Sequence, residues 1–159
     1  MGHADDPTSA AQPTGGAASD SLQRPEHEVR PLRLLRAEQV MSPRITFIDG
    51  GATIAEAVRR MRAEHVSSLI TERRGPEDAW GIITRADVIR KVIAPGLDPA
   101  SLRVYEVMTK PIITVAPGLA LKFCLKLMDM AGVRRAAVFD GKKLVGLLTH
   151  NDIFAALKV

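Results

Sequence analysis

Gly81-Ile82-Ile83-Thr84-Arg85-Ala86-Asp87-Val88-Ile89 returns 65 residues later as Gly146-Leu147-Leu148-Thr149-His150-Asn151-Asp152-Ile153-Phe154. A second motif lies upstream of each. Val40-Met41-Ser42-Pro43-Arg44-Ile45-Thr46 reappears as Val107-Met108-Thr109-Lys110-Pro111-Ile112-Ile113-Thr114, 67 residues on at the methionines and 68 at the threonines. Two motifs in the same order, present twice, mark a duplicated unit. The offset shrinks again between the second and third strands, where the first copy has the longer loop.

The stretches between the motifs predict the same elements in both copies. Ile45–Ile48 and Ile112–Val115 are short β-branched runs followed by turns, Asp49-Gly50-Gly51 and Pro117-Gly118. Helical periodicity follows: Ile54, Ala57, Val58 and Met61 share one face in the first copy, and Leu121, Cys124, Leu125 and Met128 in the second. Two strands come next, Val66–Thr71 with Trp80–Ile83, and Ala136–Phe139 with Leu144–Leu148; Asp140-Gly141 between the latter pair is a hairpin signal. A helix over 85–93, and one over 150–157, closes each copy. The order is βαββα, twice. One such unit is too small to cover both faces of its sheet, whereas two can pack sheet to sheet around one core. The expected fold class is therefore α+β, two pseudo-symmetric βαββα repeats.

Composition sets the remaining bounds. Residues 1–30 are dominated by Ala, Gly, Pro, Ser, Thr and Asp and read as a flexible tail, lacking the apolar side chains to offset chain ordering. The Leu32–Arg36 stretch after Pro31 predicts a first packed turn or strand. The expected organisation is thus a tail over 1–30, a first repeat with its lead-in over 31–98, and a second over 99–159. Aromatic residues are 4% of the 159, so the core must be aliphatic. The single cysteine, Cys124, reads as a small buried hydrophobe and excludes an internal disulfide. Asp5 and Asp6 stand where a secretory leader would be basic, and no apolar run is long enough for a membrane span, so the expectation is a cytoplasmic protein. Five acids and four arginines leave residues 1–36 at about −1 and the remainder at about +5, a balance that suits phosphate ligands and is weak for nucleic acid.

Over residues 38–157 these features resemble the CBS domain, named after cystathionine β-synthase, in its tandem arrangement, the Bateman module. The carriers are the Val-Met-Ser/Thr start with Pro and Ile-Thr after it, and the Gly-x-x-Thr-x-x-Asp end. The resemblance implies an adenosyl nucleotide in clefts between the repeats: AMP, ADP or ATP first, S-adenosylmethionine or NAD less so, with or without Mg²⁺. It implies a homodimer, a flat disk of four repeats, signalling to a regulated partner protein by conformational change. By the same analogy Asp87 and Asp152 contact ribose hydroxyls and Thr84 and Thr149 contact phosphate. Thr46 and Thr114 line the clefts, as do the backbones at Val66-Ser67 and Arg135-Ala136. Beside these, Arg85, His150 and one of Arg134 and Arg135 are candidates to extend toward phosphate, the alternative for each being a solvated surface position.

The chemistry of these residue types fits, because a carboxylate accepts from both hydroxyls of a ribose. Thr-x-x-Asp is equally the signature of a helix capping box, and the two roles are compatible. The copies differ: Arg85 answers to His150, and His65, just before the second strand, is set against Val133. No catalytic triad, metal-ligand cluster or Walker-type loop occurs, so catalysis is not expected. The alternative is a nucleic-acid-binding or purely structural dimerisation module using Arg59–Arg62, Arg73-Arg74 and Lys142-Lys143. It lacks interleaved aromatics for stacking bases.

Overall fold

In a computed structural model describing residues 31–158, the same series of elements occurs twice. The tail expected over 1–30 lies outside the described residues. Helices α1 (Ala37–Val40) and α2 (Ile54–Glu64) flank strand β1 (Phe47–Ile48); β2 (Ser68–Thr71), β3 (Gly81–Thr84) and α3 (Arg85–Val88) complete the first copy. The second copy runs α4 (Val104–Val107), β4 (Thr114–Val115), α5 (Leu121–Ala131), β5 (Arg135–Phe139), β6 (Leu144–Thr149) and α6 (His150–Ala155). Each forms a three-stranded sheet, with its first strand parallel to the second and the second antiparallel to the third.

Alternation along the strands sorts the core into three layers. Leu69 and Ile83 face inward with Ile54, Ala57 and Met61 of α2. Ala136, Val138 and Leu148 do the same with Leu121, Cys124 and Met128 of α5. The opposite faces of the two sheets meet each other through Ile70, Ile82, Ile112 and Ala137, edged by Phe47, Trp80 and Leu147. This is the expected sheet-to-sheet packing. Ile54, Leu69, Ile83, Leu121, Met128 and Leu148 retain no more than trace exposure, each contributing about 1.5–3 kcal/mol of apolar burial.

Two helices were not expected, and they exchange places. Helix α1 begins the first copy, yet Ala37 is buried in the core of the second. Its entry is fastened there: Ala37 N–H donates to the Leu119 carbonyl, and Leu121 N–H to the Leu35 carbonyl. Helix α4 begins the second copy, yet Val104 and Val107 complete the core of the first, with Ile54 N–H donating to the Leu102 carbonyl. Each has a detectable local signal. Gln39 Oε1 accepts from Arg36 N–H at 2.8 Å, and Glu106 Oε2 from Arg103 N–H at 2.7 Å. Half of a capping box is thus present, with Arg where Ser or Thr would make it legible.

The repeated motifs explain each other through this exchange. After α4, Thr109 bridges Ile82 of the first copy, with bonds of 2.8 Å in both directions. After α1, Ser42 bridges Leu147 of the second at 2.9 Å. The Val-Met-Ser/Thr segment of one repeat therefore crosses the Gly-x-x-Thr segment of the other. The glycine is the space it needs: a Cβ at Gly81 would stand 2.9 Å from Met108 Sδ and 3.2 Å from the Thr109 carbonyl oxygen.

Of the turn or strand expected after Pro31, the turn is realised, a 3-10 turn over Leu32–Leu34. Other sequence expectations are corrected. The helix expected over 85–93 is α-helical only to Val88 and continues as a π-turn over Ile89–Ile93, and the helix expected to residue 157 ends at Ala155. His65 is the counterpart of Gly132, not of Val133. Both are left-handed residues (φ 54° and 67°) ending 11-residue helices, and the valines that follow donate to Met61 and Met128.

Candidate functional site

The threonine and aspartate of the closing motif form the same constellation in each copy. Thr84 Oγ1 accepts from Asp87 N–H at 3.1 Å, while Asp87 Oδ2 accepts from Thr84 N–H and its hydroxyl at 3.0 and 2.9 Å. Thr149 and Asp152 repeat this at 3.1, 2.9 and 2.7 Å. Both are full capping boxes, so the helix-start alternative is realised. It engages one carboxylate oxygen only. Oδ1 is left over in each case.

What Oδ1 faces differs between the copies. Asp87 is 5% exposed, and its Oδ1 lies 3.3 Å from Lys91 Nζ and 3.5 Å from Arg90 Nη2. Lys91 also donates to the Val107 carbonyl at 3.0 Å, tying the motif aspartate to the end of α4. The positions of Arg90 and Lys91 in the second copy are Ala155 and Ala156, and Asp152 is only half-buried.

Thr84 and Asp87 line a cleft of about 500 Å³ whose other wall comes from the second repeat. That wall is the run Thr109–Ile113 leaving α4, and Gly132–Arg135 entering β5. Arg135 is half-buried and its Nη1 lies 3.5 Å from Ser68 Oγ. Ser68 pairs with Thr84 across the first sheet, as Arg135 pairs with Thr149 across the second. Ser68 and Arg135 are thus equivalent positions meeting at the pseudo-two-fold. Burial pushes the Arg135 guanidinium below the ordinary arginine value; Asp152 and Asp87 act against that shift, and Arg85 with it.

The other sequence-selected residues scatter. Arg85 and Val66 line a separate groove of about 640 Å³ between α2 and α3. Thr46 is half-buried, and its carbonyl accepts from Ile70 N–H at 2.9 Å. Ser67 and Arg134 play matching backbone roles, accepting from Arg85 and His150 N–H at 2.9 and 3.0 Å. Ala136 is fully buried in the second core, leaving only its backbone for any cleft. Thr114 is exposed, one residue past Ile113 of the cleft wall, and His150 is exposed on the first turn of α6. Arg90 is absent from the sequence-selected set because a lone arginine on a short helix has no local signature. Trp80 is a packing residue, 5.2 Å from the Phe139 ring and covered by Arg73 at 3.9 Å.

Residues 37–94 and 104–159 each match the CBS domain, and the chain belongs to the CBS-domain family as a tandem pair. Tandem CBS domains are typically regulatory and bind adenosyl ligands. The chain is 32% identical over 102 residues to an uncharacterized protein of Methanopyrus kandleri, an alignment covering 64% of this chain and 52% of that one. It therefore spans about half the length of the first curated relatives it matches. The hexameric CBS-CP12 protein from bloom-forming cyanobacteria superposes with a TM-score of 0.73 at 39% identity, covering 76% of this chain and 69% of that one. A CBS domain protein from Pyrobaculum aerophilum complexed with AMP shares the fold, with a TM-score of 0.64 at 19% identity over 74% of this chain and 89% of that one. No helix among the described residues is long and apolar enough to cross a membrane.

Proposed function

We propose that the chain is a regulatory module that binds an adenosyl nucleotide (AMP, ADP or ATP) between its repeats and passes the occupancy to a partner protein as a conformational change. The observation that carries this reading is the Asp87 cleft. A carboxylate with one oxygen outside its capping box faces two arginines across a cavity of about 500 Å³, within the ordinary range for small-molecule sites. The carboxylate suits ribose hydroxyls and the guanidiniums suit phosphate. Because the wall opposite Asp87 belongs to the other repeat, a ligand held by both repeats favours one relative placement of them.

The assembly read alongside this is a homodimer. Phe123, Leu127 and Met130 form an exposed stripe on α5 and Phe154 of α6 is exposed too; on the first repeat Ile89, Ile93 and Leu97 are exposed as well. Large apolar side chains on the outer helices of both repeats suit a second copy. Two variants bear on the ligand: Asp87→Asn and Asp152→Asn, titrated calorimetrically with AMP and ATP and checked by circular dichroism. Asparagine keeps an acceptor for the capping box. At least one variant is expected to lose most nucleotide affinity while folded, and unchanged affinity in both would sink the ribose assignment.

A further inference from the structure

We propose that the two clefts differ in ligand class, and that the Asp87 cleft is the one that takes an adenine nucleotide with a di- or triphosphate. This rests on the reading that the clefts bind adenosyl nucleotides, and adds which cleft holds the anion and by what.

The charge distribution carries the inference. Arg90, Arg134 and Arg135 line the Asp87 cleft together with a single carboxylate. Their counterparts in the other copy are Ala155, Ser67 and Ser68. Each of these three cations is therefore replaced by a small neutral residue in the other copy, where Arg44 stands at the position of Ile112 with its guanidinium engaged by Glu64 at 3.0 Å. The capping boxes repeat in both copies, so the comparison turns on the side chains around them. Arg90 and Arg134 are exposed at the rim, and Arg135 is half-buried at the base beside Ser68. Three guanidiniums at different depths offer more donors than one phosphate uses, and match a chain of two or three. Arg90 rests 3.5 Å from Asp87, longer than a charge-assisted hydrogen bond. Exchange of that contact for a phosphate would leave Asp87 Oδ1 to Lys91, 3.3 Å away, and to the ribose. Around Asp152 the ribose acceptor is kept, Arg135 interacts with that carboxylate electrostatically, and Arg44 is engaged by Glu64. If Arg135 turns to phosphate in the Asp87 cleft, the other loses it.

The test is calorimetric titration of the full chain with adenosine, AMP and ATP at about 0.15 M salt, where long-range attraction is screened. ATP is expected to bind most tightly and adenosine least, with one tight ATP per chain. Arg134→Ala, an exposed substitution, should weaken ATP roughly tenfold and leave adenosine within about twofold, as loss of one charge-assisted contact does. Asp87→Asn should weaken adenosine and ATP by the same factor, separating ribose from phosphate. Arg74→Ala removes the same charge outside the cleft and should leave ATP unaffected. Equal affinities for the three ligands would overturn the inference while leaving the nucleotide reading intact. So would ATP affinity untouched by Arg134→Ala, or lost in Asp152→Asn but not Asp87→Asn. Absence of binding by all three at millimolar concentration would overturn both.

Discussion

A methyl group at residue 146 would fall 2.8 Å from the Ser42 carbonyl oxygen and would also meet Met41 Sδ. At residue 81 the nearest backbone atom is more distant, the Thr109 carbonyl at 3.2 Å, although Thr71 Oγ1 and Met108 Sδ are close. Overpacking of this kind costs about 1–3 kcal/mol, so Gly81→Ala and Gly146→Ala should both lower the urea midpoint, Gly146→Ala further. At Gly75 a methyl group would meet no atom within 4 Å, and the residue has no left-handed φ. Alanine there should shift stability by less than about 1 kcal/mol, in the stabilising direction. A Gly146→Ala midpoint matching that of Gly75→Ala would refute the crossing as the reason for the motif glycine. The glycine is visible in the sequence as a repeated letter. Its cause is not, because the segment it accommodates belongs to the other repeat, Met41-Ser42 at Gly146 and Met108-Thr109 at Gly81.

Helices α2 and α5 have the same length and the same ending, reached with different residues. Gly132 adopts the left-handed conformation without a Cβ, whereas His65 carries one. Gly132→Ala should therefore cost on the order of 1 kcal/mol, read from the denaturation midpoint. An unchanged midpoint would mean that the end of α5 relaxes. At this scale sequence and structure agree where periodicity is strong: of the two stripes, Ile54, Ala57 and Met61 and Leu121, Cys124 and Met128 are buried, with Val58 and Leu125 half-buried at their edges. They part where an element is held by a distant segment. Four-residue helices such as α1 and α4 are too short to stand on propensity. They exist because Ala37, Val104 and Val107 have a foreign core to enter. The exposed Phe123-Leu127-Met130 stripe is illegible in sequence for a related reason, since a helix with two apolar faces blurs its own period.

A short ion pair joins the two repeats across their faces, and its contribution depends on pH. Lys110 Nζ lies 2.6 Å from Asp78 Oδ1, linking the run after α4 to the β2–β3 loop. The Lys110 hydrogen bond, with that of Arg74 N–H, holds the Asp78 carboxyl at about 2, below its ordinary 3.8. A carboxyl depressed in the folded state stabilises it above the unfolded pKa and loses that contribution as pH falls through the folded one. The loss belongs between about pH 4 and pH 2. Glu56, held low by the Thr53 N–H and hydroxyl, and Asp140, held low by the Lys143 and Lys142 N–H groups, add in the same direction. Asp78→Asn should flatten the acid limb of the stability–pH curve; a limb as steep as the parent's would remove Asp78 from the account. A second measurement addresses the assembly. Phe154→Asp and Met130→Asp should convert a sedimenting dimer to monomer, and a parent chain that sediments as a monomer would dismiss the apolar faces as a homodimer contact.

The duplicated motifs, the βαββα order and the Thr-x-x-Asp helix starts at Thr84–Asp87 and Thr149–Asp152 were determined by the sequence itself, because spacing and hydrophobic period are local and survive without coordinates. Tertiary structure alone decided that each lead-in helix completes the other repeat's core. It also decided that Arg90, Arg134 and Arg135 line one cleft with Asp87, while the equivalent positions of the other copy hold Ala155, Ser67 and Ser68. The physical reason is range. A period is written within one turn or one strand, whereas a cleft is a meeting of side chains from segments tens of residues apart, and only packing brings them within reach of one another.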